Sequence, residues 1–432
     1  MKNNMIATQY DGKVLTEIAG FSISQLVAEQ GSPIYLYDAE MIRERCADLQ
    51  VFETVRFAQK ACSNLSILAL LKEQGIVVDA VSAGEVLRAL AVGYSPTSNP
   101  PEIVYTSDIF DREALQVVAE HRIHCNLGSP EMIEQLAEVQ PGAEVTLRIN
   151  PGFGHGHSQK TNTGGPQSKH GIWHEQLPAC LERAKACGLT VVGLHMHIGS
   201  GTDLEHLAQV CEAMEKCARL VGPSLKTISA GGGLPTVYRA GQTSMDLAQY
   251  HRLWDAVRNR LATEFGHAIG LELEPGRYLV AESGYLLAEI RAVKRMGENL
   301  FYLVDAGFNN LARPILYGAY HPMAICPVGG RASSENRDVV VGGPLCESGD
   351  IFTQEDGGVV SRRSLPTAQV GDILVIGCTG AYGSVMGSNY NSKPLAAEIL
   401  LDRGVLRIIR HRQTVEELIA NERSALETVV TR

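Results

Sequence analysis

The stretch VRFAQKACSN, residues 55–64, decides between two folds. An alternating apolar run, Val55, Phe57 and Ala58, ends in Lys60. Alanine and cysteine follow, and Ser63 or Asn64 offers a helix start. A strand that leads into a helix opens both doubly wound sheets and βα barrels. The doubly wound sheet wants a glycine-rich loop after its first strand, and AQKACSN has no glycine. A second question stays open at this point: why a lysine ends a buried strand with no acidic neighbour in sequence.

Working outward, eight short apolar runs recur between residues 54 and 274. They are TVRFAQ, IVVDAV, EIVYTS, IHCNLG, VTLRIN, VVGLHMH, KTISAGGG and IGLELE. Amphipathic helical patterns separate most of them, such as SAGEVLRALAVG (82–93) and SPEMIEQLAEVQ (129–140). Eight βα units in about 220 residues predict a TIM barrel, (β/α)8. From about 280 the pattern turns β-rich, with YLLAEIRAVKRM, LFYLVDAGF, RDVVVGGPLC and GDILVIGCTGAY. This predicts a C-terminal antiparallel, β-sandwich-like domain, which the early strand-like SPIYLYD (32–38) could complete. The expected boundaries are 36–283 for the barrel, and 1–35 with 284–432 for the β-rich domain.

The bulk numbers exclude several classes. The 432 residues suffice for two domains. Hydrophobic residues are 45% and charged ones 20%, the balance of a soluble globular chain. No apolar run approaches the roughly 20 residues that cross a bilayer, and MKNNMIATQYDGK has no signal-peptide core. A cytoplasmic location is expected, without a membrane partner. A net charge of −10 argues against a nucleic-acid surface. Ten cysteines lie outside any C-x-x-C pair and read as reduced thiols, mostly core filler.

In a barrel, function gathers where strands end. Those ends supply Lys60, Asp79 with Ser82, Thr106, Asn126, Asn150, His195 with His197, Gly231 to Gly233, and Glu274 with Arg277. Each has an ordinary reading. A lone lysine snorkels; the alternative is an amine that forms a Schiff base. SAGGGLP (229–235) is a tight turn, or a place where backbone N–H groups approach an anion. Glu274 and Arg277 in ELEPGRYLV are an ion pair, or a working pair at the mouth. His195 and His197 pack or stack, or chelate zinc as His-x-His, with His155, His157 or His170 as a third ligand. The polar, Gly-rich segment 150–171 has the length of an active-site lid or binding loop. In GGPLCESGDIF (342–352), Glu347, Ser348 and Asp350 weaken the core-filler reading of Cys346.

Taken in order, FAQKACSN, HMHIGSG, GGGLP, EPGRYLV, RPILYGAYHP, CESGDIF and GAYG resemble the diaminopimelate decarboxylases. These are pyridoxal-phosphate enzymes with an alanine-racemase-like barrel. The resemblance spans nearly the whole chain, and the lid segment is like that of the enterobacterial form. It implies pyridoxal 5'-phosphate bound covalently at Lys60. His197 would stack on the ring. Ser200, Gly231, Gly232, Gly233, Glu274, Gly276 and Arg277 would hold the phosphate and ring, with Glu274 at the pyridine nitrogen. Arg277, Arg313 and Tyr317 would grip the substrate's carboxylate and amino groups. Cys346 would donate a proton, and Glu347 would recognise the far, D-configured end. Tyr382 would touch both cofactor and substrate. Cys346 and Glu347 would come from a partner subunit, which implies a homodimer with a shared site. One departure is Cys62, where many relatives have asparagine.

The implied reaction takes meso-2,6-diaminopimelate to L-lysine and CO2, the last step of lysine biosynthesis. The residues suit it. A carboxylate at the ring nitrogen keeps the ring protonated and deepens the electron sink, whereas an arginine there would suit racemisation. A thiol, with its ordinary pKa of about 8.5, can deliver a proton near neutral pH. Three alternatives remain at this stage. One is a decarboxylase of D-lysine, D-ornithine or another basic amino acid. Another is a non-catalytic pyridoxal-phosphate carrier, which would lack the β-rich domain and the Cys-Glu pair. The third is a zinc hydrolase barrel.

Overall fold

The computed structural model describes residues 9–154, 163–199, 204–331 and 335–426. Contacts divide the chain into two units. One comprises Arg43–Thr236 and Ser244–Leu279; the other comprises Met1–Ile42, Val237–Thr243 and Val280–Arg432. The SPIYLYD run forms β1 (Ile34–Asp38), which belongs to the second of these.

All eight barrel runs form strands. They are β2 (Thr54–Ala58), β3 (Val77–Ala80), β4 (Ile103–Ser107), β5 (His124–Leu127), β6 (Glu144–Asn150), β7 (Thr190–His195), β8 (Thr227–Ser229) and β9 (Gly270–Leu273). Every neighbouring pair is parallel, β9 joins β2, and β6 joins β7, so the sheet closes on itself. Helices form where the sequence supplies amphipathic stripes and caps. Asn64 caps Leu65–Glu73 by accepting from Ser66 N–H at 2.9 Å. Ser82 caps Ala83–Ala91 through Glu85 N–H, while the Glu85 carboxylate reaches back to Val81 N–H at 2.8 Å.

Alternation along the strands separates two environments. Phe57, Val78, Leu127, Leu147, Leu194 and Leu273 are fully buried on the face that the helices cover. The other face lines the barrel, and its residues are unusually polar: Arg56, Asp79, Thr106, Asn126, Arg148, Ser229 and Glu274, all buried. Barrel interiors are ordinarily filled by Val, Ile and Leu. Here Arg56 on β2 makes a bidentate pair with Glu272 on β9, Nε to Oε2 at 2.8 Å and Nη2 to Oε1 at 2.7 Å. Its Nη1 donates to the Pro101 carbonyl at 2.6 Å. Burial alone would lower the guanidinium's pKa, but Glu272 outweighs it and the group stays charged. His124, across from it, is pushed down to about 4 by burial and by Arg56, so the imidazole is neutral. It bonds Thr146 Oγ1 at 2.9 Å.

The other unit carries a nine-stranded sheet. Its remaining strands are β10 (Gly284–Met296), β11 (Asn299–Val304), β12 (Met323–Cys326), β13 (Asn336–Gly342), β14 (Arg363–Pro366), β15 (Ile373–Ile376), β16 (Ala397–Asp402) and β17 (Val405–Arg410). The order is β14-β13-β11-β10-β1-β16-β17, with β15 on β10 and β12 on β15. Most pairings are antiparallel; β11 with β13 and β16 with β1 are parallel. The N-terminal segment completes the sheet's core. Ile23, Leu26 and Val27 of the helix Ile23–Gln30 pack on Ile34, Leu36, Leu287 and Ile399. No helix among the described residues is long and apolar enough to cross a membrane.

Removing one partner of a buried ion pair leaves the other charge uncompensated. Glu272→Ala is expected to cost about 3 kcal/mol in equilibrium urea unfolding. The double variant Arg56→Met with Glu272→Leu is expected to recover most of that loss. A Glu272→Ala protein as stable as the parent would show that the pair does not hold the barrel.

Candidate functional site

Lys60 stands one residue past β2 and its successor, on a short turn Gln59–Ala61, and is exposed. The EPGR segment lies against this turn. Ala58 N–H donates to the Pro275 carbonyl at 3.3 Å. A Cβ on Gly276 would sit 3.1 Å from Ala61 Cβ and 3.3 Å from Ala58 Cβ. Glycine therefore lets the two segments pack at this distance. The missing acidic neighbour of Lys60 is supplied by the fold: its charge acts on Asp79 and Glu85.

Glu274 is the most organised group. It follows β9 and is buried. His195 Nε2 bonds its Oε2 at 2.7 Å, and Ser229 Oγ donates to its Oε1 at 3.0 Å. Burial pushes this carboxyl upward, but His195, then Ser229 and Arg56, pull harder and hold it at about 2. Asp79 goes the other way. Burial raises it well above the usual carboxylate range, the Glu274 charge adds to this, and Thr106 and Lys60 only partly oppose it. The barrel thus pushes two buried carboxyls in opposite directions, Glu274 down and Asp79 up, a separation typical of working sites.

His197 lies just beyond the end of β7 and is half-buried. Burial, then Lys60 and Arg148, lower its pKa well below the usual value, so its ring is neutral. Its Nδ1 has no hydrogen-bond partner among the described residues. Against this ring lies the triple glycine. A Cβ at Gly231 (φ +64°) would come 2.5 Å from Met196 O and 2.8 Å from His197 Cβ. At Gly232 it would come 2.6 Å from Glu274 O. No other residue fits either position, and Gly233 completes the loop. Around one mouth stand an accessible amine, an anchored carboxylate, a neutral ring and a bare backbone cradle. That donor set fits a flat, protonatable ring with an aldehyde and a phosphate arm. Arg277 opens the next helical turn, half-buried.

Of the two histidines read as a zinc pair, His195 is committed to Glu274, and His170 bonds Asp108 at 2.6 Å. His155, His157 and the expected phosphate ligand Ser200 lie outside the described residues. So does the middle of the lid segment. Its described parts are tied by Asn150, which accepts from Gly152 and Gly165 N–H and donates to the Gly165 and His170 carbonyls.

The remaining candidates belong to the sheet unit. Arg313 is buried, with Nη1 on His321 Nε2 at 2.9 Å and on Tyr238 Oη at 3.3 Å. Because Arg313 can only donate, His321 accepts at Nε2 and carries its proton on Nδ1, which donates to the Gly377 carbonyl at 2.9 Å. Tyr317 ends the same turn, half-buried. Cys346 is the one exposed cysteine of the ten; eight are buried and Cys187 is intermediate. Its loop is pinned. Asp350 accepts from Phe308 N–H at 2.7 Å and Leu345 N–H at 2.8 Å, and Asn391 Oδ1 accepts from Cys346 N–H at 2.8 Å. Glu347 is exposed beside it. Tyr382 is half-buried, with a positive φ of 56°. Sequence reasoning missed Arg56, Glu272, Tyr238 and His321. For the first two, the signal was a charge at an alternate position within a strand.

Residues 40–281 match the pyridoxal-dependent decarboxylases over their pyridoxal-binding domain. The diaminopimelate decarboxylase of Escherichia coli (strain K12) is 52% identical over 409 residues, covering 94% of this chain and 97% of the relative. That of Streptomyces coelicolor is 52% identical over 404 residues, covering 93% and 92%. A crystal structure of diaminopimelate decarboxylase, 51% identical, superposes with a TM-score of 0.91 over 97% of this chain and 99% of that one. The Helicobacter pylori enzyme complexed with L-lysine, 30% identical, gives 0.81 over 93% and 99%.

The upward shift of Asp79 makes a stability prediction with a definite sign. Its folded pKa is raised, so the unfolded chain releases a proton that the folded chain keeps, and stability falls as pH rises above about 3.8. Asp79→Asn keeps the shape and removes the titration. Its melting temperature relative to the parent is expected to rise between pH 4 and pH 8, as scanning calorimetry would record. A gain independent of pH would mean that Asp79 is ionised in the fold.

Proposed function

The chain belongs to the pyridoxal-dependent decarboxylases, and we propose that it converts meso-2,6-diaminopimelate to L-lysine and CO2, the last step of lysine biosynthesis. The observation that carries a decarboxylase reading is Glu274, ionised and anchored inside the barrel. Pyridoxal 5'-phosphate, when bound, supplies a conjugated pyridine ring that accepts the electron pair left at Cα when CO2 departs. Lys60 holds the cofactor through its amine. Glu274 holds a proton at the ring nitrogen. Neutral His197 covers the ring without adding a positive charge that would compete with that proton. Gly231 turns the loop with its own N–H on Ser229 Oγ, Gly232 and Gly233 offer backbone N–H groups to the phosphate, and Gly276, Arg277 and Ser200 would complete its binding.

Substrate recognition needs two cations and one anion, because the substrate is a dicarboxylic diamine. Arg313, Arg277 and Tyr317 bind its carboxylates, Tyr382 lies against cofactor and substrate, and Glu347 binds an ammonium group. The product corrects one assignment made from the resemblance. L-Lysine keeps an L centre, so CO2 leaves from the D centre, and Glu347 reads the L-configured far end. Cys346 Sγ then delivers the proton that replaces CO2 on Cα. The protein is a cytoplasmic homodimer in this reading, with Cys346 and Glu347 of each copy acting at the barrel mouth of the other. Decarboxylation of D-lysine or D-ornithine is the competing specificity.

Purified protein is expected to be yellow, to lose its visible absorption band in Lys60→Ala, and to turn over meso-diaminopimelate in preference to D-lysine and D-ornithine. A colourless active protein, or a preference for either D-amino acid, would overturn the assignment. Cys346→Ala is expected to lower kcat by about 10²-fold or more, with KM little changed. Mixing the two inactive variants tests the shared site. Random reassortment should restore roughly a quarter of parental activity, because half the dimers carry one intact site; no recovery would place Cys346 in its own subunit's site.

A further inference from the structure

Of the His-x-His pair, the proposed function uses His197 and leaves His195 unassigned. His195 closes β7, is 1% exposed, and shares the barrel interior with Glu274 across 79 residues of sequence. Its Nε2 lies 2.7 Å from Glu274 Oε2, while Ser229 Oγ lies 3.0 Å from Oε1. Ser229 is itself fixed, since its Oγ accepts from Gly231 N–H at 3.2 Å. Each oxygen of the carboxylate is therefore held by a donor from a different strand, and the second donor is tied to the glycine cradle. Among the described residues His195 Nδ1 has no partner, and the ring's directed contact there is with Glu274.

We propose that His195 is a positioning residue: its Nε2–H fixes the orientation of the Glu274 carboxylate and keeps it ionised, so that Glu274 can hold the proton on the cofactor's ring nitrogen. This rests on the reading that Glu274 faces that nitrogen. The surroundings explain why such a residue is needed. Glu274 is buried near Asp79, and its charge pushes the Asp79 carboxyl upward. Arg56 from β2 favours ionised Glu274 from below. Lys60, Arg148 and His197 face the same space but are not hydrogen-bonded to the carboxylate. His195 contributes most among the groups that hold Glu274 below the usual carboxylate range, ahead of Ser229 and Arg56. A histidine that merely packed would be replaceable by an apolar residue of like volume without any effect on proton affinity. Here the same replacement removes one of two anchors from a buried charge.

The test uses His195→Ala, His195→Gln, Ser229→Ala and Glu274→Gln. Cofactor affinity is measured by titrating each apoenzyme with pyridoxal phosphate from pH 5 to pH 9, and the visible band of each holoenzyme is titrated over the same range. His195→Ala is expected to weaken cofactor binding and kcat by about tenfold or more, with KM changed far less. The acid limb of the affinity profile should move to higher pH, because Glu274 takes up its proton more readily. His195→Gln keeps an N–H donor and should restore most of the parental profile; it also serves if the alanine variant does not fold. Ser229→Ala should give the same shift, smaller. An unshifted acid limb in both His195 variants, with Glu274→Gln shifting or abolishing it, would overturn the role of His195. An unaffected Glu274→Gln would overturn the reading of Glu274, and the proposal with it.

Discussion

A charge sealed inside a barrel has no water to answer it, and the interior of this barrel is organised by that constraint. Burying an unpaired ion costs several kcal/mol even after relaxation. Three solutions coexist within one ring of strands. Arg56 and Glu272 neutralise one another in a bidentate pair. Asp79 holds its proton more tightly, because burial and the Glu274 charge both penalise its ionised form. Glu274 keeps its charge because His195 and Ser229 donate to both its oxygens. Cofactor chemistry at the mouth needs the third solution, and the other two make room for it.

Much of this was legible in the sequence. The eight apolar runs located the strands, and the absence of glycine after the first favoured closure over an open sheet. Ser82 and Asn64 announced their helices through cap chemistry that acts locally, so it survives without tertiary context. The strand ends alone name Lys60, Asp79, His195, Gly231 and Glu274 as neighbours at one mouth. What sequence could not supply was the pairing within the barrel. Arg56 sits in an alternating apolar run, where a charge reads as an exception; its partner lies 216 residues away. Likewise, nothing local in RPILYGAYHP says that His321 turns its lone pair toward Arg313.

Cysteines illustrate the same limit. Composition made most of them core filler, and for Cys346 only its polar neighbours and the family resemblance spoke against that reading. Solvent exposure separates Cys346 from the rest, and exposure is a property of the whole fold. Its loop is nevertheless rigidly described by short-range logic: Asp350 and Asn391 hold three backbone N–H groups that an unconstrained turn would leave to water. The thiol is thus accessible without being loosely held, a combination that suits directional proton delivery.

The pair between the first and last barrel strands also governs how the unit comes together. Arg56 is made early in the chain and Glu272 late, so the guanidinium has no partner until β9 meets β2. Any half-formed barrel exposes a strand face of Arg, Asp, Asn and Thr that water solvates well. The pair therefore acts as a latch that only the complete ring can fasten, because both charges are answered once β9 lies against β2.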